Sequence, residues 1–419
     1  MNAYRTVIVL LVTLALAAVA GQPALASGPT VQPEAFGPLV GIDTRPAAQL
    51  QPAVDWGCPT IGGRFLTVYE NQSGGAAGYD IAGRLTDDQG FVADPAGPFA
   101  VVVGAADQRR PAVAQNRAAG APGDSFMVAW MSNAGGNWDI YVQVWGCNKA
   151  PLSPPQIVSR VGDAPSAVND DMYPDVICGT LSCWVVWDSN RTGNWDIFAQ
   201  VVNGAGVPVG ANVPVTADPK NQRWPAIQYN GLTGCAPDSF LVVWQDSRNS
   251  AAGNGWDIYG RQLHSIGPCS AEMATYSGLG NQQDPDLAFG RVAGQYQVVW
   301  QDDRNGTWDI YGEIANPDGT PAGLAPAIAT GVGNQLRPAV AYDAALDRFL
   351  TVWQDNSAGN FDLAGQLTNG AGAAVGGNFP VPVSAQAEQN PAVAWSRISG
   401  HFYINGDWQS RNIFGIAYW

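Results

Sequence analysis

Hydrophobic residues in this chain gather in short runs, and no stretch sustains the spacing of an amphipathic helix. Runs such as Phe240 to Trp244 and Tyr296 to Trp300 are almost wholly apolar, which predicts strands buried on both faces. Between them lie Gly-, Asn- and Asp-rich turns. The runs recur in a fixed order. One unit reads Arg337-Pro338-Ala339-Val340-Ala341-Tyr342, then Phe349-Leu350-Thr351-Val352-Trp353-Gln354-Asp355, then Phe361-Asp362-Leu363-Ala364-Gly365-Gln366, followed by a Gly-rich turn and a weaker strand. These are strands A, B, C and D.

Strand A opens on Pro52, Pro111, Pro174, Pro225, Pro285, Pro338 and Pro391, with spacings of 59, 63, 51, 60, 53 and 53 residues. Proline suits the first position of a strand, where no ladder N–H is needed. Strand B ends near Tyr69, Trp130, Trp187, Trp244, Trp300, Trp353 and Trp408. Strand C opens on an aromatic-Asp step at Asp80, Asp139, Asp196, Asp257, Asp309 and Asp362, with Asn412 in the seventh copy. Four antiparallel strands repeated radially describe an all-β, seven-bladed β-propeller. The chain ends on the seventh strand C, so the last blade lacks its own strand D. The segment from Ala35 to Ile42 is expected to supply it by pairing with Ile413 to Trp419, which removes two open sheet edges. Residues 34–44 are thus the outer strand of the closing blade, 49–389 six full blades and 390–419 the remaining three strands.

The Pro…Trp-Gln-Asp…Arg-Asn-Gly…Trp-Asp-Ile-Tyr pattern resembles the WD40-like (PD40-like) repeats of TolB-type propellers and of exported prokaryotic surface proteins, over residues 35–419. The resemblance implies the fold. It departs in blade number, since TolB-type domains usually have six, and in repeat length, so no partner-binding segment carries over.

Residues 1–26 read as a secretory signal: Arg5 gives a positive start, Val7 to Ala20 an apolar run, and Ala24-Leu25-Ala26 a cleavage site. No cysteine stands near the cut, so a secreted or cell-surface protein, without membrane insertion after cleavage, is expected for 27–419. The net charge of −15 and the presence of only two lysines argue against nucleic acid as a partner. Six cysteines in an oxidising compartment predict disulfides: Cys178 with Cys183 across a hairpin, Cys235 and Cys269 on one face of the fourth blade, and Cys58 and Cys147 in loops of neighbouring blades.

Ten tryptophans sit at recurring positions, six ending strand B and four opening strand C, and are read as core. The recurring aspartates are read as turn braces, and Asp246/Arg248 and Asp302/Arg304 as exposed ion pairs. Three residues before each proline stands a Gln, Asp or Glu, expected to bond between blades. The residue directly before proline varies: Gln51, Arg110, Tyr173, Trp224, Asp284, Arg337 and Asn390. With strand A innermost, these seven ring one mouth of the central channel and are the candidate ligand-binding residues. No catalytic residues are expected, because His264 and His401 lie in no nucleophile context. No cofactor is expected beyond a structural calcium at acidic surface turns such as Asp87-Asp88 or Asp170-Asp171. The leading expectation is a non-catalytic module that recognises a glycan, peptide or envelope protein. The alternatives are a glycoside hydrolase or polysaccharide lyase using acidic residues such as Asp284, and a self-associating surface-layer component.

Overall fold

A computed structural model of the chain describes residues 35–72, 78–93, 97–160, 169–231, 238–250, 255–382, 386–408 and 411–419. The segment expected to be a signal, residues 1–26, and Cys235 lie outside the described residues. Seven antiparallel sheets follow one another along the chain, each with the four-strand order A-B-C-D; the fourth carries its outer strand in two short pieces. Strands A of all seven blades line a central channel.

Strand B is the buried middle of each blade. Trp130, Trp187, Trp244, Trp300 and Trp353 are at most 1% exposed, and Tyr69 takes the same place in the first blade. Each of the five indoles donates its N–H to a side-chain oxygen: those of buried Gln108, Asp171, Asp246 and Asp302, and that of half-buried Asp355 in the sixth blade. Burying an aromatic of this size is the largest single contribution to such a core, and truncation to alanine costs about 3–5 kcal/mol. The seventh blade departs from the sequence reading. Its register pairs Gln389 with Asp407, so Gly406, not Trp408, occupies the tryptophan position. The ring of Phe414 lies 2.7 Å from where a Cβ on Gly406 would stand, and stacks on Trp408 at 5.2 Å.

The closing strand forms as expected. Val40–Asp43 runs antiparallel to Asn412–Tyr418, with Val40 opposite Gly415 and Gly41 opposite Phe414. Ala35 and Trp419 exchange N–H···O bonds of 2.9 and 3.1 Å. Asp43 also accepts the Tyr69 hydroxyl at 2.8 Å, so the closing strand is tied to the first blade as well as the last.

Cys58 pairs with Cys147 and Cys178 with Cys183. Cys269 is disulfide-bonded as well. The Cys58–Cys147 bond staples the A–B loop of the first blade to the C–D turn of the second. Two readings of charged residues need correction. Asp246 and Asp302, paired with Arg248 and Arg304, are fully buried, because the same carboxylates receive the tryptophan N–H groups. Asp88 and Asp171 are buried too, the first taking the Trp56 indole N–H at 2.6 Å and the second that of Trp187.

Removing residues 35–45 is expected to open the ring at the seventh blade, giving a lower Tm and soluble aggregates on size exclusion. An unchanged Tm with monomeric elution would refute closure by this strand.

Candidate functional site

Each inner strand breaks register at the residue before its proline. The pairing slips between Leu50 and Ala53, Arg109 and Ala112, Met172 and Asp175, and at the same place in the other four blades. At every break the pre-proline residue is left-handed, with φ between 50° and 54°, although none of the seven is glycine. Such a conformation costs about 1–3 kcal/mol and persists where the surroundings hold it. The holding contact comes from the preceding blade. Glu70 accepts the N–H of Arg110 at 3.0 Å, Gln245 that of Asp284 at 3.2 Å, Gln301 that of Arg337 at 3.0 Å, and Gln354 that of Asn390 at 3.2 Å. Asp188 and Asp407 do the same for Trp224 and Gln51. In the second blade the equivalent position is Met131, which has no oxygen to offer Tyr173.

The recurring polar residue two places earlier also ties blades, through its backbone and not its side chain. The N–H of Gln108 reaches the Tyr79 carbonyl at 2.6 Å, and five further blades repeat the bond to the aromatic opening the previous strand C. In the closing step Gln49 bonds Arg411.

The bulges bring all seven predicted residues, Gln51, Arg110, Tyr173, Trp224, Asp284, Arg337 and Asn390, around one cavity of about 340 Å³. Neighbours pair around this ring. Arg110 donates to Gln51 at 2.7 Å, Arg337 donates to Asn390, and Tyr173 meets Trp224 edge-on at 5.5 Å. Asp284 stands apart: its carboxylate has no hydrogen bond among the described residues, and burial lifts its pKa to about 6 against the pull of Arg337 and Arg110.

At the waist of the channel lie Asp175 and Asp286, one place after their prolines, where the other five blades have alanine. Both carboxylates bridge neighbouring inner strands. Asp175 accepts the N–H groups of Val176 and Ile227, and Asp286 those of Leu287 and Val340, all at 2.8 Å. Asp55 plays the same part toward Trp56 and Gln115, at 2.7 and 2.6 Å. These N–H groups belong to strand edges that face the channel and would otherwise need another acceptor. Burial raises Asp175 to about 7 and Asp286 to about 6.

The opposite end of the channel was not marked out by the sequence reading. There a second cavity of about 340 Å³ receives Arg117, Arg291 and Arg397 from A–B loops of the second, fifth and seventh blades. Each stands six residues after its proline, a non-repeating position that could have been read in the same way as the pre-proline one. Four residues after proline stand Trp56, Tyr229, Phe289, Tyr342 and Trp395, which line the same cavity. Among the described residues no group of three or more His, Cys, Asp and Glu is placed to hold a metal ion.

No family model matches the chain, and no curated protein matches it. Among solved structures it is similar to the Hadza microbial sialidase Hz136 (10% identity, TM-score 0.47, 90% of this chain and 68% of that one). It is also similar to Trypanosoma rangeli sialidase (9%, 0.44, 92% and 60%) and to the β-propeller domain of the Trilobed protease from Pyrococcus furiosus (8%, 0.49, 88% and 95%). At these identities and scores nothing about the sites carries over.

Asp175, Asp284 and Asp286 all hold protons more tightly folded than unfolded. The unfolded chain releases those protons near pH 4 and the folded one near 6–7, so stability falls as pH rises through that window. Tm is expected to be higher at pH 5 than at pH 8 in thermal melts. The double variant D175A/D286A, which carries the alanine of the other blades, should give a flatter profile. A wild-type Tm that climbs from pH 5 to pH 8 would contradict this account.

Proposed function

We propose that the protein is a binding module for a polyhydroxylated ligand, a glycan, held at the pre-proline mouth. The observation that carries this reading is the state of the seven-residue ring: Arg110 bonds Gln51 and Arg337 bonds Asn390, while the Asp284 carboxylate and the buried Trp224 indole N–H have no hydrogen-bond partner among the described residues. A sugar offers hydroxyl donors for a carboxylate and an apolar ring face for an aromatic. The cavity, concave and lined by a few convergent polar groups, has the size of a small-ligand site.

Glycan-array binding followed by titration calorimetry tests the proposal. Trp224→Ala and Asp284→Asn are each expected to weaken the best ligand about 10-fold or more, while leaving Tm within a few degrees. Because Asp284 titrates near 6, wild-type affinity should fall as pH is lowered from 7.5 to 5, and the Asn variant should lack that fall. Binding indifferent to both substitutions would remove this mouth as the site.

An enzymatic reading draws on one observation, the two carboxylates with raised pKa at the waist. A glycoside hydrolase needs one such acid and a second carboxylate across the scissile bond. Against it, both oxygens of Asp175 and of Asp286 are engaged by backbone N–H groups, which favour the ionised form and leave little capacity for proton transfer. Release of reducing ends from a glycan, abolished in D175A/D286A, would establish the enzyme instead.

A further inference from the structure

We propose that the other end of the channel is a second binding site, for an acidic glycan whose carboxylate or sulfate groups are held by Arg117, Arg291 and Arg397. Three features on that face lead there, and none depends on what the pre-proline mouth binds.

The first is the state of the arginines. Most arginines of the described protein that carry an ion pair do so with a buried aspartate, as Arg223 does with Asp188 at 2.8 Å and Arg191 with Asp171 at 2.9 Å. Among the described residues Arg117, Arg291 and Arg397 form no ion pair, and the buried Nε of Arg117 has no hydrogen-bond partner. Asp55 is the carboxylate whose field reaches Arg117 and Arg397, and both its oxygens are already taken by backbone N–H groups. The three guanidinium groups instead repel one another. Burial and then the other two arginines lower Arg397 to about 10 against the pull of Asp55, and burial lowers Arg117, where the pull of Asp55 outweighs the push of Arg291. Asp55 attracts Arg117 and Arg397 without hydrogen-bonding either of them, because backbone N–H groups hold its oxygens, so the guanidinium N–H donors stay open to an anion.

The second is contrast. The chain carries −15 overall, so its surface repels polyanions. A concave basic mouth on such a protein concentrates the positive potential in one place, and guanidinium groups match oxyanions with paired N–H donors. The carboxylates at the waist bar an anion from passing further.

The third separates a sugar from a peptide. A peptide entering the channel would pair with the free edges of the inner strands. At Gln115, Ile227 and Val340 those edge N–H groups are already capped by Asp55, Asp175 and Asp286. What remains on offer is side-chain chemistry: the arginines, with the half-buried rings of Tyr229 and Trp395 lining the same cavity. Arg117 lies 6.0 Å from the Tyr229 ring centroid, so a carboxylate held by the one brings its sugar ring to the other.

The test measures binding of the full mature protein to a polyuronate oligosaccharide, a sulfated glycan, a neutral glucan, poly-glutamate and inorganic sulfate. Wild type is expected to bind one of the two acidic glycans, to weaken steeply with salt, and to bind the neutral glucan and poly-glutamate at least 10-fold less well. Whether the uronate or the sulfated chain binds tells which oxyanion is recognised. The triple variant R117Q/R291Q/R397Q should lose 100-fold or more, and R291Q/R397Q, which leaves Arg117 in place, at least 10-fold with an unchanged Tm. Trp224→Ala should have no effect here, which keeps this site distinct from the other mouth. The proposal is overturned if neither acidic glycan binds, if the double variant binds undiminished, if poly-glutamate or neutral glucan binds as tightly, or if inorganic sulfate accounts for all the affinity.

Discussion

A backbone N–H that has lost its strand partner governs much of this molecule. Each inner strand kinks at the residue before proline, and the amide freed by the kink is taken up by a side chain of the preceding blade in six of seven cases. That one bond does two things. It holds a left-handed backbone that a non-glycine residue would otherwise leave, and it fastens blade to blade at the smallest radius of the ring. The residue in the kink then projects at the channel mouth. Its side chain contributes nothing to the bond, so six different residue types stand at the seven positions, and the bond is the same in kind wherever it forms.

The two faces of the ring are built differently as a result. On the pre-proline face, neighbouring blades are joined by hydrogen bonds, and the mouth is mixed in character: amide, guanidinium, aromatic and carboxylate. On the other face, disulfides such as Cys58–Cys147 and Cys178–Cys183 hold the A–B and C–D loops, and the mouth is basic. Between them, aspartates from the first, third and fifth blades cap inner-strand amides. The channel therefore changes sign along its axis.

Much of this was legible in the sequence, for a physical reason. A core buried on both sides of every blade demands an aromatic in strand B, and the inner strand demands proline after its kink, so both residues repeat and can be counted. The pre-proline mouth was legible by the opposite logic, as the place where the repeat stops constraining the residue. The basic mouth obeyed the same logic six residues later, at Arg117, Arg291 and Arg397. It was missed because A–B loops differ in length and look like ordinary connections until their convergence on the axis is seen. Trp408 misled for a local reason: Phe414 reaches across to fill the space above Gly406, so the conspicuous tryptophan is displaced to the blade's edge. The burial of Asp88, Asp246 and Asp302 was hidden because their indole partners are distant in sequence or share a position otherwise read as packing.

Pairing Val40–Asp43 with Asn412–Tyr418 joins two ends separated by nearly the whole length of the chain. Six blades can each form from local hairpins, but the seventh sheet waits for the last residues to arrive, and contacts of that sequence separation form slowly. The ring-closing pair is therefore the contact with the largest loop to close, and until it forms a strand edge stays bare on each side of the gap. Until then the half-formed cylinder has no enclosed passage, so neither mouth exists as a site before the final strand is seated.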